Sequence, residues 1–472
     1  MKTKQVVKEE NINHMKILKY KILLGCFLVA SVSIAQEKLW TLQDCVNYAL
    51  ENNISVKQTE LDTQVADQDL VSAKGNFLPN LNGSASQNYN FGSFIGQDGN
   101  RVSRDSRGNN FGLNSSAVLF NGFQNTNIYK QAKLGIQSSQ LQLSILKDNI
   151  SLNVVNQYLN IMLNRENLKV AHEQVEITTK QVNQIQELVN SGVRAKVDLY
   201  EVKAQLASDQ EQLINAENSL ELANLALAQL LQIPNEGFEV SAMEIELPYV
   251  VLEHKSASEI YDFALSNRPE IKVAELNIED AELGTNIAKS SFYPTLSFGA
   301  GLGTSYQHFQ GQEDLRPIID PSDPNNIILV DNGFGQQLED NLGYNFGFSL
   351  NIPIFNRFQT KVNVNKAEIN VKKLEYSLEQ EKQDLRTNIE QAYADAKAAF
   401  NQYQASKASL DAQTESFKNA EESYKLGVMN SFDFEQVRNR LVNSKSNIIN
   451  AKYNFVFKTK VLDFYMGKPL TD

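Results

Sequence analysis

Apolar residues recur along this chain at two periods, and the places where the period switches set out its organisation. From Asn125 to Asn190, residues such as Ile145, Ile150, Val154, Tyr158, Ile161, Leu168 and Val175 fall at helical spacings among Gln, Asn, Lys and Glu. That spacing predicts one helix roughly 100 Å long at about 1.5 Å per residue. Thr360 to Lys425 repeats the pattern. Each tract stops at a glycine, Gly192 or Gly427, and a second helical tract follows, Asp198 to Leu231 or Asp433 to Tyr465. Glycine is the usual residue for a left-handed helix cap, so two very long helical hairpins are expected. Proline placement agrees: none lies between Leu81 and Ile233 or between Ile354 and Lys468. An interior proline would cost a helix about 3 kcal/mol.

Ahead of each hairpin the period falls to two. Leu296, Phe298, Ala300, Leu302, Thr304 and Tyr306 alternate with Ser297, Gly299, Gly301, Gly303 and Ser305. Leu342, Tyr344, Phe346, Phe348, Leu350 and Ile352 alternate with Asn341, Gly343, Asn345, Gly347, Ser349 and Asn351. Leu81 to Phe91 and Phe111 to Phe120 do the same less cleanly. The expected strands are therefore 80–91, 111–120, 295–306 and 341–352. Alternation over about ten residues marks a transmembrane β-strand, apolar to lipid and polar to a lumen, or a half-buried strand of a soluble sheet. Gly92–Asn110 and Gln307–Asp340 read as polar loops, the second carrying Pro317, Pro321 and Pro324. Shorter helices, Leu42–Asn52 with Val56–Asn76 and Ser258–Asn267 with Glu270–Phe292, open each half.

The two halves are copies. Pro79 matches Pro294, Ala49-Leu50 matches Ala264-Leu265 and Ala73-Lys74 matches Ala288-Lys289, all at a shift of 215. Pro234 matches Pro469, Phe120-Asn121 matches Phe355-Asn356, and Gly192, Asp198 and Val202 match Gly427, Asp433 and Val437, all at a shift of 235. A constant shift that changes once denotes a tandem duplication with 20 extra residues between Pro294 and Phe355. The expected units are a first repeat over 36–234, a connector over 235–257 and a second repeat over 258–472.

Ile22 to Ile34 form an apolar run behind Lys16, Lys19 and Lys21 and end in Ser33-Ile34-Ala35, the pattern of a secretory signal peptide over 1–35. Met15 is an alternative start, and Leu23-Leu24-Gly25-Cys26 is a weaker match to a lipoprotein cleavage box. An export signal, four alternating strands and no later apolar stretch of about 20 residues together favour an outer-membrane β-barrel over a soluble sheet. Only Cys45 follows the cut, so no intrachain disulfide is expected. The formal charge of −12 becomes −16 once the leader's six Lys and two Glu are gone, which gives no electrostatic case for nucleic acid.

Candidate chemistry is sparse. His172, His254 and His308 lack metal-ligand spacing, and no metal or cofactor is expected. Gly299-Ala300-Gly301-Leu302-Gly303 has its glycines at every second residue of a strand, so they read as small lumen-facing residues, not a phosphate loop. Asp320-Pro321-Ser322-Asp323 reads as a solvated loop in preference to a calcium site. No catalytic constellation supports an enzyme.

The chain resembles the TolC-like outer-membrane efflux protein family over residues 38–469. The resemblance rests on Leu42-Gln43-Asp44 leading to Ala49-Leu50-Glu51-Asn52-Asn53, and on Phe77-Leu78-Pro79 and Phe292-Tyr293-Pro294 before strands. It rests also on Leu119-Phe120-Asn121-Gly122 and Pro353-Ile354-Phe355-Asn356 after strands, and on the tips Ser191-Gly192-Val193 with Asp198 and Leu426-Gly427-Val428 with Asp433. It implies an α+β membrane protein: a trimeric barrel of four strands per protomer, continuous with a long periplasmic α-helical barrel. The implied role is a passive exit duct of a tripartite efflux or type I secretion system. Its partners would be a periplasmic adaptor and an inner-membrane RND or ABC transporter. Four strands cannot close a barrel alone, so oligomerisation also follows from the strand count. An exported coiled-coil scaffold is the alternative, and an ordinary porin is disfavoured by the long hairpins.

At the periplasmic aperture the resemblance places Asp433 in a ring of carboxylates, Gln436 where some members carry a second Asp, Glu435 beside it, and Tyr424 at a constriction. Gly192, Val193, Arg194, Asp198, Gly427, Val428 and Met429 would form the tips where an adaptor docks. Some members lock the tips with an Arg at the position of Met429, paired to the Asp matching Asp198. That lock is missing here, and Arg194 is the candidate substitute. Asp198 and Asp433 read equally as carboxylates favoured near helix N-termini.

Overall fold

The structure, a computed structural model, describes residues 39–95, 101–103, 105–243 and 256–470. The expected signal peptide and most of the connector lie outside those residues. The first repeat runs β1 (Leu39–Trp40), α1 (Leu42–Asn52), α2 (Ile54–Gly75), β2 (Asn80–Asn90), β3 (Ser93–Ile95), β4 (Arg101–Ser103), β5 (Ser106–Asn121), α3 (Gln124–Asn190) and α4 (Lys196–Leu231), then β6 (Glu239–Val240). The second runs α5 (Ala257–Asn267), α6 (Pro269–Ser290), β7 (Thr295–Phe309), β8 (Leu315–Asp320), β9 (Asp323–Asp331), α7 (Phe334–Asp340), β10 (Gly343–Asn351), α8 (Gln359–Lys425) and α9 (Ser431–Tyr465).

Corresponding residues do corresponding work. Thr41 and Asp44 form a capping box at the start of α1, and Ser256 and Glu259 form the same box at α5. Each satisfies two helix-terminal N–H groups that would otherwise lack partners. The core in the first repeat gathers Cys45, Ala49, Val154, Ile161 and Leu227, all buried. The second gathers Ile260, Ala264, Ile389, Ala396 and Leu462 at the corresponding positions. Tyr158 ties the stretch after the first repeat to that core, its hydroxyl donating to the Ser241 carbonyl oxygen at 2.8 Å, while β6 lies parallel to β1.

The long strands form one antiparallel sheet in the order β10-β7-β5-β2. Register settles its two faces. Tyr344, Leu302, Leu113 and Gly83 stand opposite one another on one face, as do Phe348, Phe298 and Ala117. On the other face stand Asn345, Gly301, Asn114 and Asn82, then Gly347, Gly299, Ser116 and Asn80. A Cβ on Gly301 would lie 2.5 Å from Asn345 Oδ1 and 2.9 Å from Asn114 Oδ1, so the asparagines close over a residue without a side chain. In the first repeat the alternation is broken at the end of β5, where a bulge at Leu119 shifts the register between Val118 and Phe120. A bulge inserts one residue and re-aims the next, which sets Phe120 opposite Leu296.

Strand passes to helix through two consecutive left-handed residues in each half, Gly122-Phe123 and Arg357-Phe358. Gly122 is confined: a Cβ there would lie 2.7 Å from the Ser290 carbonyl oxygen and 2.8 Å from Tyr293 Cβ.

The two expected loops hold more structure than their composition suggested. β5 starts at Ser106, β7 runs to Phe309, and β3 pairs with β4. Within 307–340, β8 and β9 form a hairpin and α7 packs Phe334 against Phe111 and Tyr306. Pro317 and Pro324 sit inside these strands, which a two-stranded ribbon tolerates because each strand has an unpaired edge.

Candidate functional site: the hairpin tips

Both hairpins turn in the same way. Gly192 and Gly427 each have φ 73°. Gly192 N–H donates to the Val189 carbonyl at 3.1 Å and Val193 N–H to Leu188 at 2.8 Å; Gly427 N–H donates to Tyr424 at 3.1 Å and Val428 N–H to Ser423 at 2.9 Å. These paired bonds are a Schellman cap, which satisfies carbonyls at the helix end and requires positive φ. Val193 and Val428 project from the turns, 68% and 82% exposed.

The returning helices begin differently. At the second tip Asn430 caps α9: its Oδ1 accepts from Asp433 N–H at 2.8 Å, and its Nδ2 donates to Asp433 Oδ2 at 2.8 Å. At the first tip Ala195 provides no side-chain cap, and Asp198 lies 3.6 Å from Arg194 Nη1. Arg194 also stands over the Tyr424 ring, 5.4 Å from its centroid, and so touches the other hairpin. Tyr424 is stacked on Phe434, 4.6 Å between centroids, and joins the small core of Ile185, Leu199 and Val202. Burial pushes the Tyr424 hydroxyl above its ordinary pKa. Asp433 and Gln436 are exposed, and Met429 is half-buried.

Glu435 departs from the expected aperture position. Its Oε1 accepts from Gln181 Nε2 at 3.0 Å and its Oε2 lies 2.9 Å from Arg438 Nε, so the side chain turns into the seam between hairpins. Burial raises its pKa against the pull of Arg438. The reason is helical phase. Phe434, Arg438 and Leu441 line the buried face of α9, and Glu435 lies three residues before Arg438 on that side.

Arg438 is the residue that the sequence reading missed. It is 2% exposed, and Asp209, also 3% exposed, faces it from α4 at 3.2 Å. Arg438 Nη1 donates to Thr178 Oγ1 at 2.6 Å and more weakly to Gln181 Oε1 at 3.4 Å, both on α3. Thr178 Oγ1 in turn donates to Asp209, and Gln205 donates to the other Asp209 oxygen at 2.8 Å. The Gln174 carboxamide, with its oxygen toward the guanidinium, accepts from Nε at 3.1 Å. The signal was present: Arg438 interrupts the apolar stripe of Phe434 and Leu441, and Asp209 falls seven residues after the buried Val202.

Among the described residues no helix is long and apolar enough to cross a membrane, and no group of His, Cys, Asp and Glu is arranged to hold a metal ion. The family model described as "Outer membrane efflux protein" matches residues 45–231 and 260–468, one match per repeat. The outer membrane protein TolC of Escherichia coli K12 is 22% identical over 438 residues, covering 92% of this chain and 83% of the relative. A crystal structure of CusC superposes with a TM-score of 0.74 at 18% identity, covering 93% and 96% of the two chains. The Campylobacter jejuni CmeC outer membrane channel gives a TM-score of 0.71 at 20% identity, covering 90% and 85%. The fold is that of a protomer giving four strands to a shared twelve-stranded barrel continuous with long periplasmic helices, and the family is one of transport channels in the outer membrane. By the match of its family model across both repeats, the chain belongs to the outer membrane efflux protein family.

Proposed function

We propose that three copies form a passive exit duct, receiving small molecules or exported substrates from an inner-membrane RND or ABC transporter through a periplasmic adaptor. The observation that carries this reading is the sheet: an apolar outer row, an inner row of Gly, Asn and Ser, and two open edges. In hydrocarbon every backbone group needs a partner, so β10 of one copy must pair with β2 of the next until the ring closes. The helices need neighbours as well. Val362, Ile369 and Tyr376, seven residues apart on α8, are 43%, 59% and 78% exposed in the protomer. Such a stripe at heptad spacing is a coiled-coil seam awaiting a partner helix. A coiled-coil scaffold without a pore would explain the hairpins and leave the two-faced sheet without a use.

At the tips, the exposed Val193, Val428 and Phe432 supply apolar contacts for an adaptor, with Gly192, Gly427, Arg194, Asp198 and Met429 shaping the turns. Three copies of Asp433 around a narrow mouth focus negative potential and favour cations. Its bond to Asn430 serves the helix cap at the same time, since one carboxylate both accepts locally and contributes to the field. Purified protein in planar bilayers tests the reading. We expect trimers with cation-selective conductance, and Asp433→Asn should lower that selectivity and weaken block by multivalent cations. Recovery of a stable soluble monomer from the periplasm, with no bilayer conductance, overturns it.

A further inference from the structure

The outward face of the sheet changes character at one level. It carries no charged side chain from Leu296 to Tyr306 on β7 or from Ala117 to Asn109 on β5. The first charge met is Arg107, with Tyr89 opposite it on β2 and His308 opposite it on β7. At about 3.3 Å per residue and a strand tilt of about 40°, the rise from Leu296 to His308 is about 30 Å. The apolar band of a membrane barrel is about 25 Å tall, so these three residues stand just beyond it. Leu296 lies opposite Phe120 at the end of the sheet nearest the long helices, which puts Arg107 at the far, outward-opening boundary. Because β5 and β7 are the middle strands of the sheet, pairing between copies through β10 and β2 leaves this part of the face uncovered.

We propose that Arg107 holds the phosphate of a lipid headgroup in the outer leaflet, one site per copy around the barrel. The proposal rests on the barrel reading above. Its argument is the state of the guanidinium. Arg194, Arg268, Arg316 and Arg438 each face a carboxylate. Arg107 is exposed and has none among the described residues. Its Nη2 donates to Tyr306 Oη at 3.4 Å, and its Cζ stands 5.7 Å from the Tyr306 ring centroid. Tyr306, only 4% exposed, is fixed in turn: its hydroxyl donates to Asp314 Oδ2 at 3.0 Å, and Asp314 Oδ1 lies 3.0 Å from His308 Nδ1. The Asp314 carboxylate is thus engaged by phenol and imidazole, and the guanidinium meets only phenols, those of Tyr306 and Tyr89. A planar fork with donors to spare matches phosphate oxygens two at a time. Tyrosines at the edge of the apolar band set the depth of such a site, because their rings sit in lipid and their hydroxyls among headgroups. A free phosphate would satisfy the guanidinium but has no use for the exposed apolar wall of Phe111 and Leu113 on its membrane side; an acylated phosphate covers both.

The test uses full-length trimers in nanodiscs of phosphatidylcholine doped with lipid A or with its phosphate-free form, and native mass spectrometry to count the lipid retained. The site predicts one lipid A per protomer on the wild type, little of the phosphate-free form, and about tenfold less lipid A on Arg107→Gln. Arg107→Lys should fall between, since a point charge lacks the fork. Equal retention of the two lipids by the wild type overturns the proposal, as does equal retention of lipid A by the wild type and Arg107→Gln. Displacement of lipid A by millimolar inorganic phosphate also overturns it, because the site would then be one for free anions. The comparison of the two lipids on the wild type needs no variant, so it decides the matter should Arg107→Gln not assemble. A trimer that inserts and conducts while retaining no lipid A defeats this site alone, whereas a chain that does not insert defeats the barrel reading.

Discussion

The two hairpin tips share a backbone, a glycine, an exposed valine and an aspartate, and differ in the side chains set around them. Gly192 and Gly427 have the same φ and the same pattern of cap bonds, yet Arg194-Ala195 stands where the other tip has Met429-Asn430. Val189 and Leu199 correspond to Tyr424 and Phe434, an aliphatic lining on one side and an aromatic stack on the other. The equivalent aspartates keep different company, Asp198 with an arginine and Asp433 with a capping asparagine. Helix geometry and one glycine suffice for the turn, so side chains around it were free to diverge after duplication. The shared features describe the scaffold; the differences show where the hairpins took on separate tasks.

The sharpest way to break this comparison is at the strand-to-helix turns. Gly122 and Arg357 occupy the same left-handed position, but only Gly122 has a backbone carbonyl 2.7 Å from where a Cβ would sit. Gly122→Val should destabilise by about 2–5 kcal/mol, from left-handed strain plus overpacking, and Arg357→Ala by no more than about 1 kcal/mol. Thermal melting of the purified trimers measures both. Similar losses at the two sites would mean that the crowding around Gly122 does not distinguish the two turns.

Next in size is the outer face of the sheet. Phe348 and Leu113 are corresponding outward positions in the two repeats. An arginine at either should lower membrane insertion by about 2–4 kcal/mol near the bilayer midplane, while Ser349→Arg, one residue along on the inner face, should leave trimers largely intact. The measurement is the trimer fraction in outer membranes. Equal defects on both faces would indicate a sheet packed on two sides.

The elements with long regular periods were legible in the sequence. The tract read as helical over 125–190 is α3, Gln124–Asn190, and the alternation over 341–352 is β10, Gly343–Asn351. What periodicity could not show was structure inside the expected loops. There Ile318 and Ile319 with Ile327 and Ile328 pair in a hairpin whose prolines had pointed away from strand. The aperture residues were placed by resemblance, which fixes a position along the helix but not the direction a side chain faces. Asp433 and Gln436 are exposed, whereas Glu435 turns inward because its partner Arg438 lies in the core stripe. A position-by-position reading finds a repeated turn readily. It misses a cluster assembled from Thr178, Asp209 and Arg438, whose members lie 31 and 229 residues apart.

The smallest effect is at the start of the returning helices, where the tips differ by one capping side chain. Asn430 Oδ1 satisfies the Asp433 N–H, and Ala195 has no group to offer the corresponding Asp198 N–H, which bonds only to the Ala195 carbonyl at 3.2 Å. Exchange should therefore be reciprocal. Asn430→Ala should cost about 1 kcal/mol, the usual worth of a side-chain cap, and Ala195→Asn should return a stabilisation of about 0.5–1 kcal/mol. Urea melts of the trimer, followed with hydrogen exchange at the first turns of α4 and α9, resolve changes of that size. Loss at the second tip without gain at the first would locate the difference in Arg194: its pairing with Asp198 and its place over Tyr424 already hold the first helix start, so an added cap would have nothing left to fix. Gain without loss would instead mean that the stack of Tyr424 on Phe434 anchors the second helix start, with Asn430 a bystander.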